Sequence, residues 1–181
     1  MRKTSAGLVA AAALAIGALL GAVVVGGLGV ALGYALFADE EPPSTIPADV
    51  EETRVALLQA AESGDYEALR PLISDSFEYT FGSPVEGGPI EYCQRLEEET
   101  NERPLESLAA ILKMPYVLSR GYYVWPWAYT VESAGDLSEH EVELLEPLGP
   151  TSRLFPSGSG YFGWRAGVEP DGTWAFFVAG D

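Results

Sequence analysis

The chain runs to 181 residues with 27 Asp and Glu, ten Lys and Arg, and a formal charge of −17 at pH 7. That length suits one ordinary domain with an appendage. So acidic a surface repels phosphate backbones and anionic lipid headgroups, which argues against nucleic acid as a partner.

The first element is an apolar run. Residues 4–38, TSAGLVAAAALAIGALLGAVVVGGLGVALGYALFA, hold no charged side chain, which reconciles a 48% hydrophobic content with the acidity. All 27 carboxylates but only eight of the cations lie from Asp39 onward, so that part carries −19. A helix crosses roughly 30 Å of hydrocarbon with about 20 residues, and this run is longer. Arg2 and Lys3 precede it; Asp39, Glu40 and Glu41 follow. A basic flank stays cytoplasmic, so residues 1–38 are expected to form a single-pass anchor of the cell membrane, N-terminus inside and acidic domain outside. The alternative is a cleaved signal peptide and a secreted product, with small residues before sites after Gly33 or Ala38; the apolar core of such a peptide is normally about 7–15 residues. Gly17 and Gly21 share a helical face, and Gly29 and Gly33 repeat the spacing, as in helices that self-associate. A glycine-rich run also yields that spacing by chance.

DEEPPSTIPAD, residues 39–49, reads as an acidic, proline-rich tether. Residues 50–181 then form the outer domain. Asp49 and Glu52 predict a capping-box-like start to a helix whose stripe is Val50, Leu57, Leu58 and Ala61. Gly64 supplies a left-handed stop and Asp65 caps a short second helix, YEALRPLI, limited by Pro71. FEYTF, 77–81, alternates as a strand and GSPVEGG is a loop. Pro89 and Pro104 each open a helix, the first with Ile90, Cys93 and Leu96 inward, the second with Leu105, Leu108, Ala109 and Leu112. After Pro115 the pattern becomes β: YVLS, then YYVWPWAYTV. Ser138 and Glu141 form a second capping box, and Gly149-Pro150 ends that helix. The chain closes in a hairpin, YFGWRAGV and TWAFFVAG, around Glu169-Pro170-Asp171-Gly172. Helices first and strands mainly later give an α+β class: short helices packed on an antiparallel sheet.

The run RVALLQAAESGDYEALRPLISDSFEYTFG, Arg54 to Gly82, resembles the opening of the nuclear-transport-factor-like superfamily, also called ketosteroid-isomerase-like or SnoaL-like. Its Ala60-Ala61, Gly64-Asp65, Leu69, Leu72-Ile73 and Asp75-Ser76-Phe77 carry the likeness. The resemblance implies a cystatin-like cone of helices against a curved sheet. It also implies, as an alternative function, an isomerase or cyclase acting on an apolar small molecule. No position here matches the acid or histidine those enzymes hold inside the cone, so no catalytic residue is carried over. The closing WRAGVEPDGTWAFFVAGD and the VWPWA string resemble uncharacterised bacterial envelope proteins, a likeness that implies no activity.

Chemistry-bearing residues are sparse. His140, the only histidine, sits among Glu139, Glu141 and Glu143 at a helix start, where solvation is the plain reading; with Glu143 alone it makes no metal site. Glu97–Glu99 lacks a calcium-loop pattern and reads as a solvated face. Cys93 on an apolar stripe reads as a small buried hydrophobe. Asp75 and Glu78 are the best remaining acids. No cofactor, metal or catalytic residue is assigned.

The strongest constellation is aromatic. Along an extended chain Tyr123, Trp125, Trp127, Tyr129 and Val131 point one way and Tyr122, Val124, Pro126, Ala128 and Thr130 the other, with Pro126 marking an edge or a break. In the hairpin Phe162 and Trp164 share a face, as do Trp174, Phe176 and Val178. These rings are either the core against the helices or a platform for a sugar, peptide or lipid-like group. Tyr79, Tyr123, Trp125, Trp127, Tyr129, Trp164 and Arg165 are the candidate ligand-binding residues, with Arg120 at the rim. The expected function is a non-catalytic binding or interaction module for a small molecule or protein of the cell envelope.

Overall fold

A computed structural model of the chain describes residues 45–82 and 84–180. The apolar run 4–38, with Gly17, Gly21, Gly29 and Gly33, and the first part of the tether lie outside them. The chain divides between Ala38 and Asp39 into two units, and every described residue belongs to the second. Among the described residues no helix is long and apolar enough to cross a membrane.

The domain is α+β. Helix α1, Ala48–Ser63, buries Val50, Leu57, Ala60 and Ala61. Its N-cap is Pro47, not Asp49, and no side chain caps it. Proline's fixed φ lets the chain enter the helix two residues early, leaving Asp49 in the first turn, where its charge still favours the helix dipole. At the other end Gly64 takes φ 71° and the Asp65 amide donates to the Ala60 carbonyl, closing the expected left-handed stop. Asp65 accepts from the Glu67 and Ala68 amides and starts a tight 3-10 turn, Glu67–Leu72.

Strand β1 is Ile73–Glu78, earlier than the expected 77–81. Tyr79 leaves the strand because its hydroxyl accepts from the Val85 amide at 2.9 Å and donates to the Val85 carbonyl, folding the next loop back on itself. Helices α2, Pro89–Glu99, and α3, Pro104–Leu112, both begin on their prolines. Strands β2, Val117–Ser119, and β3, Tyr122–Trp125, form a hairpin in which Ser119 pairs with Tyr122. Helix α4, Glu139–Leu145, carries both bonds of the Ser138/Glu141 capping box, and α5, Thr151–Leu154, follows. Strands β4, Arg165–Val168, and β5, Trp174–Val178, close the chain around a turn in which the Gly172 amide donates to the Glu169 carbonyl. That turn docks on α1: Thr53 Oγ1 donates to the Gly172 carbonyl at 2.6 Å.

The five strands lie in the order β1-β5-β4-β3-β2. Strands β2 to β5 are antiparallel, but β1 runs parallel to β5, so the sheet is mixed rather than antiparallel. Tight turns set β2 against β3 and β4 against β5, while the antiparallel β3–β4 pairing joins segments separated by helices α4 and α5. No turn constrains β1, which reaches its edge from far upstream and is held by Ile73 and Phe77 packing into the core.

One sheet face is covered by helices. Tyr123 and Trp125 of β3, Ala166 and Val168 of β4, and Trp174 and Phe177 of β5 meet Leu57, Leu108 and Ile111 there. The expected grouping of Trp174 with Phe176 and Val178 does not occur. The register slips between Gly167 and Val168, which pair with Phe176 and Trp174, so one extra residue reverses the alternation. Trp174 therefore sides with Phe177, and Phe176 turns to the opposite face, against Tyr122.

The stretch YYVWPWAYTV is likewise not one strand. It ends at Trp125, a cis bond joins Trp125 to Pro126, and Trp127–Thr130 forms a 3-10 turn. Pro126 has no amide for the ladder, and the turn is closed locally by the Tyr129 amide on the Pro126 carbonyl. Tyr123 and Trp125 sit in the main core, whereas Trp127 and Tyr129 pack on a second cluster built from Met114, Ala128, Leu145, Leu154, Phe155 and Tyr161.

Candidate functional site

The sheet face away from the helices is concave. It forms an open groove of about 550 Å³. The alternation that sends Tyr123, Trp125 and Ala166 into the core sends Tyr122, Val124 and Arg165 into this groove. Phe176 and Val178 complete its floor.

Gly167 decides how that floor is shaped. A Cβ on Gly167 would lie 2.2 Å from two atoms of the Phe176 ring, so the ring leans across β4 through space that only glycine leaves empty. Tyr122 meets that ring edge-on, with centroids 5.5 Å apart and planes at 69°.

Arg165 forms one wall. It is 6% exposed, the one charged residue buried among the described residues. Its guanidinium carbon lies 5.2 Å from the Phe81 ring centre and 5.2 Å from that of Tyr129, and its Nη1 donates to the Gly180 carbonyl at 2.8 Å. Two aromatic rings thus face the cation, which replaces part of the hydration it loses on burial. Phe81 itself is 57% exposed.

Arg120 stands at the mouth. With Gly121 it forms the two-residue turn between β2 and β3, at φ 53° and 86°, the pattern of a type I′ turn. Arg120 is the only non-glycine with positive φ among the described residues. Asn or Asp suits that position better, so the backbone carries strain to place a guanidinium there. Glu78 and Glu169 also line the groove, with Ser76 and Ser119.

Trp164 lies elsewhere. It stacks on Phe177 at 4.5 Å, and its Nε1 donates to Glu102 at 3.0 Å. Glu102 also holds Arg153, and these three border a second groove of about 530 Å³ with Leu148, Pro156 and the 40%-exposed Phe162. Of the seven candidate ligand-binding residues, Tyr129 and Arg165 meet at the first groove and Trp164 lines the second. Tyr123 and Trp125 are buried under the helices, Trp127 packs on the second core cluster, and Tyr79 pairs with Tyr92 beside α2. Sequence reading missed Tyr122, Phe176 and Phe81. Alternation does set Tyr122 on the face opposite Tyr123, without marking it as a site residue, and nothing local announces the bulge that turns Phe176 outward.

Between helices and sheet the free space around Tyr66, Phe77, Cys93 and Trp174 is only about 10 Å³. No Asp or Glu is buried as a whole residue among those described, although the Oε2 atom of Glu91 is shielded from solvent, and none of their His, Cys, Asp and Glu side chains gather in threes to hold a metal. Asp75 and Glu78 are exposed. His140 is exposed too, with Glu143 at 3.9 Å. Burial, reinforced by the charge of Glu97, pushes the Cys93 thiol up to about 12, so it stays protonated and inert. Tyr66 donates to Glu97, and its hydroxyl is raised mainly by burial, then by that carboxylate.

No protein-family model matches this sequence, and no match to it is found among curated proteins or solved structures.

Proposed function

We propose that this chain is a single-pass membrane-anchored binding module of the cell envelope, whose outer domain takes a ligand on the open face of its sheet. The observation that carries the reading is the contrast between the two sheet faces. Between helices and sheet the cavity around Tyr66, Cys93 and Trp174 holds only about 10 Å³, whereas the open face keeps aromatic side chains beside two arginines in a 550 Å³ groove. A concave site with apolar floor and few polar groups is the usual form of a binding site. The uncharged run 4–38 between Arg2-Lys3 and the acidic tether supports the anchor and its orientation. The isomerase or cyclase alternative requires a cone with an ionisable group inside it, and the packed interior gives that reading less support.

The test is a fragment screen by NMR on the full-length chain in a sugar-free zwitterionic detergent. Aromatic and aliphatic organic fragments are expected to move backbone resonances of Tyr122, Phe176 and Arg165 saturably. Fragments that instead cluster around Trp164 and Phe162 would assign binding to the second groove, and fragments that bind nowhere would sink the reading.

A further inference from the structure

We infer that the open-face groove recognises an uncharged saccharide, with sugar rings lying on Phe176 and Tyr122 and hydroxyls read by the rim; the inference rests on the binding reading above. Charge decides the first part. From Asp39 onward the chain has eight cations against 27 acids, yet the groove holds Arg120 and Arg165 against Glu78 and Glu169. It is a locally neutral patch on a strongly negative body. An anionic polymer would approach against the field of the whole domain, and a cationic one would be drawn to the rest of the surface instead. A neutral ligand is the class that this distribution does not repel.

Backbone and shape decide the second part. Strands β3, β4 and β5 each have hydrogen-bonded neighbours on both sides, so the groove floor offers no ladder to an added peptide strand. An acyl chain calls for an enclosed apolar slot, but this groove is open and bordered by Ser76, Glu78, Ser119, Arg120 and Glu169. A saccharide needs both surfaces at once: apolar C–H faces against aromatic rings, and hydroxyls facing paired donors and acceptors. Gly167 lets the Phe176 ring lean over the sheet, and Arg120 brings donors to the mouth at the cost of a left-handed backbone. Arg165, already donating to Gly180 and clasped by Phe81 and Tyr129, serves as a wall.

The experiment titrates the same full-length NMR sample with neutral hexasaccharides (α-1,4-glucan, β-1,4-glucan, β-1,4-mannan and α-1,6-mannan) and with polygalacturonate as the anionic counterpart. At least one neutral saccharide is expected to shift Tyr122, Phe176 and Arg120 saturably and more strongly than polygalacturonate does. Tyr122→Ala and Arg120→Gly are each expected to weaken that binding about tenfold, the scale of one lost ring contact or hydrogen-bonded pair. Arg120→Gly also relieves the left-handed strain, so it lowers affinity while leaving the melting temperature unchanged or higher, which a merely structural role would not do. If organic fragments move the groove and all four neutral saccharides are silent, the saccharide inference is wrong and the binding reading stands. Preference for polygalacturonate, or shifts confined to Trp164 and Phe162, also overturns it. If nothing moves the groove, both fall.

Discussion

Arg120→Asn should stabilise this protein, which is unusual for replacing an arginine on a protein surface. Arg120 holds φ 53° and Gly121 φ 86° in the turn that joins Ser119 to Tyr122. A residue with a Cβ pays about 1–2 kcal/mol for a left-handed conformation. Asparagine tolerates it much better, and Asn-Gly is the preferred pair for a type I′ turn. No ion pair of Arg120 with any described residue offsets the gain. Recovering about half to all of the lower figure gives roughly 0.5–1 kcal/mol. For a domain of about 140 residues the unfolding entropy at the midpoint is about 0.3 kcal/mol/K, so the melting temperature should rise by about 2–3 °C. Gly121→Ala is the matched control. A Cβ there meets nothing within 4 Å, so its cost is purely conformational and the midpoint should fall by about 3–7 °C. Thermal unfolding followed by circular dichroism reads both. A lower midpoint for Arg120→Asn would mean that the guanidinium stabilises the fold, and the strain argument, with the functional weight placed on Arg120, would be wrong.

Three further outcomes follow from the packing. Gly172→Ala should destabilise by about 2 kcal/mol or more, because Gly172 combines φ 86° with a Cβ position 2.8 Å from the Asp49 carbonyl oxygen, which belongs to backbone and yields little; urea unfolding at unchanged slope checks it. Gly167→Ala should cost about 1–3 kcal/mol and expel the Phe176 ring from its seat, so the Tyr122–Phe176 contact is lost in the NMR spectrum; a retained ring contact would refute the account of the groove floor. Cys93, buried with its thiol raised to about 12, should resist an aromatic disulfide reagent at pH 8 until the protein unfolds. An unfolded thiol loses its proton near 8.5, so between about 8.5 and 12 the unfolded chain binds fewer protons than the folded one and stability falls as pH rises. The fall from this group is about 2 kcal/mol between pH 8 and pH 10, and Cys93→Ala should flatten that limb.

Features written in consecutive residues are legible in the chain itself. Gly64-Asp65 ends one helix and starts the next turn, Pro89 and Pro104 open helices, and Ser138 with Glu141 forms a capping box, because each depends on hydrogen bonds within a few residues. The inward stripe of Ile90 and Cys93, and that of Leu105, Leu108 and Leu112, follows from helical period alone. Where distant segments meet is settled by tertiary packing instead. The parallel seat of β1 beside β5, the bulge that parts Trp174 from Phe176, and the break that sends Trp127 and Tyr129 to a second cluster all depend on which partner strand lies alongside. The groove inherits that dependence. Phe81, Tyr129 and Arg165 are separated widely in sequence and become one wall only when β4 lies in the sheet with the 3-10 turn at one end and the loop after β1 above it. Local rules set turns and periods; side-chain alternation fixes a face only until a bulge or a proline resets it, and those resets belong to the pairing of strands.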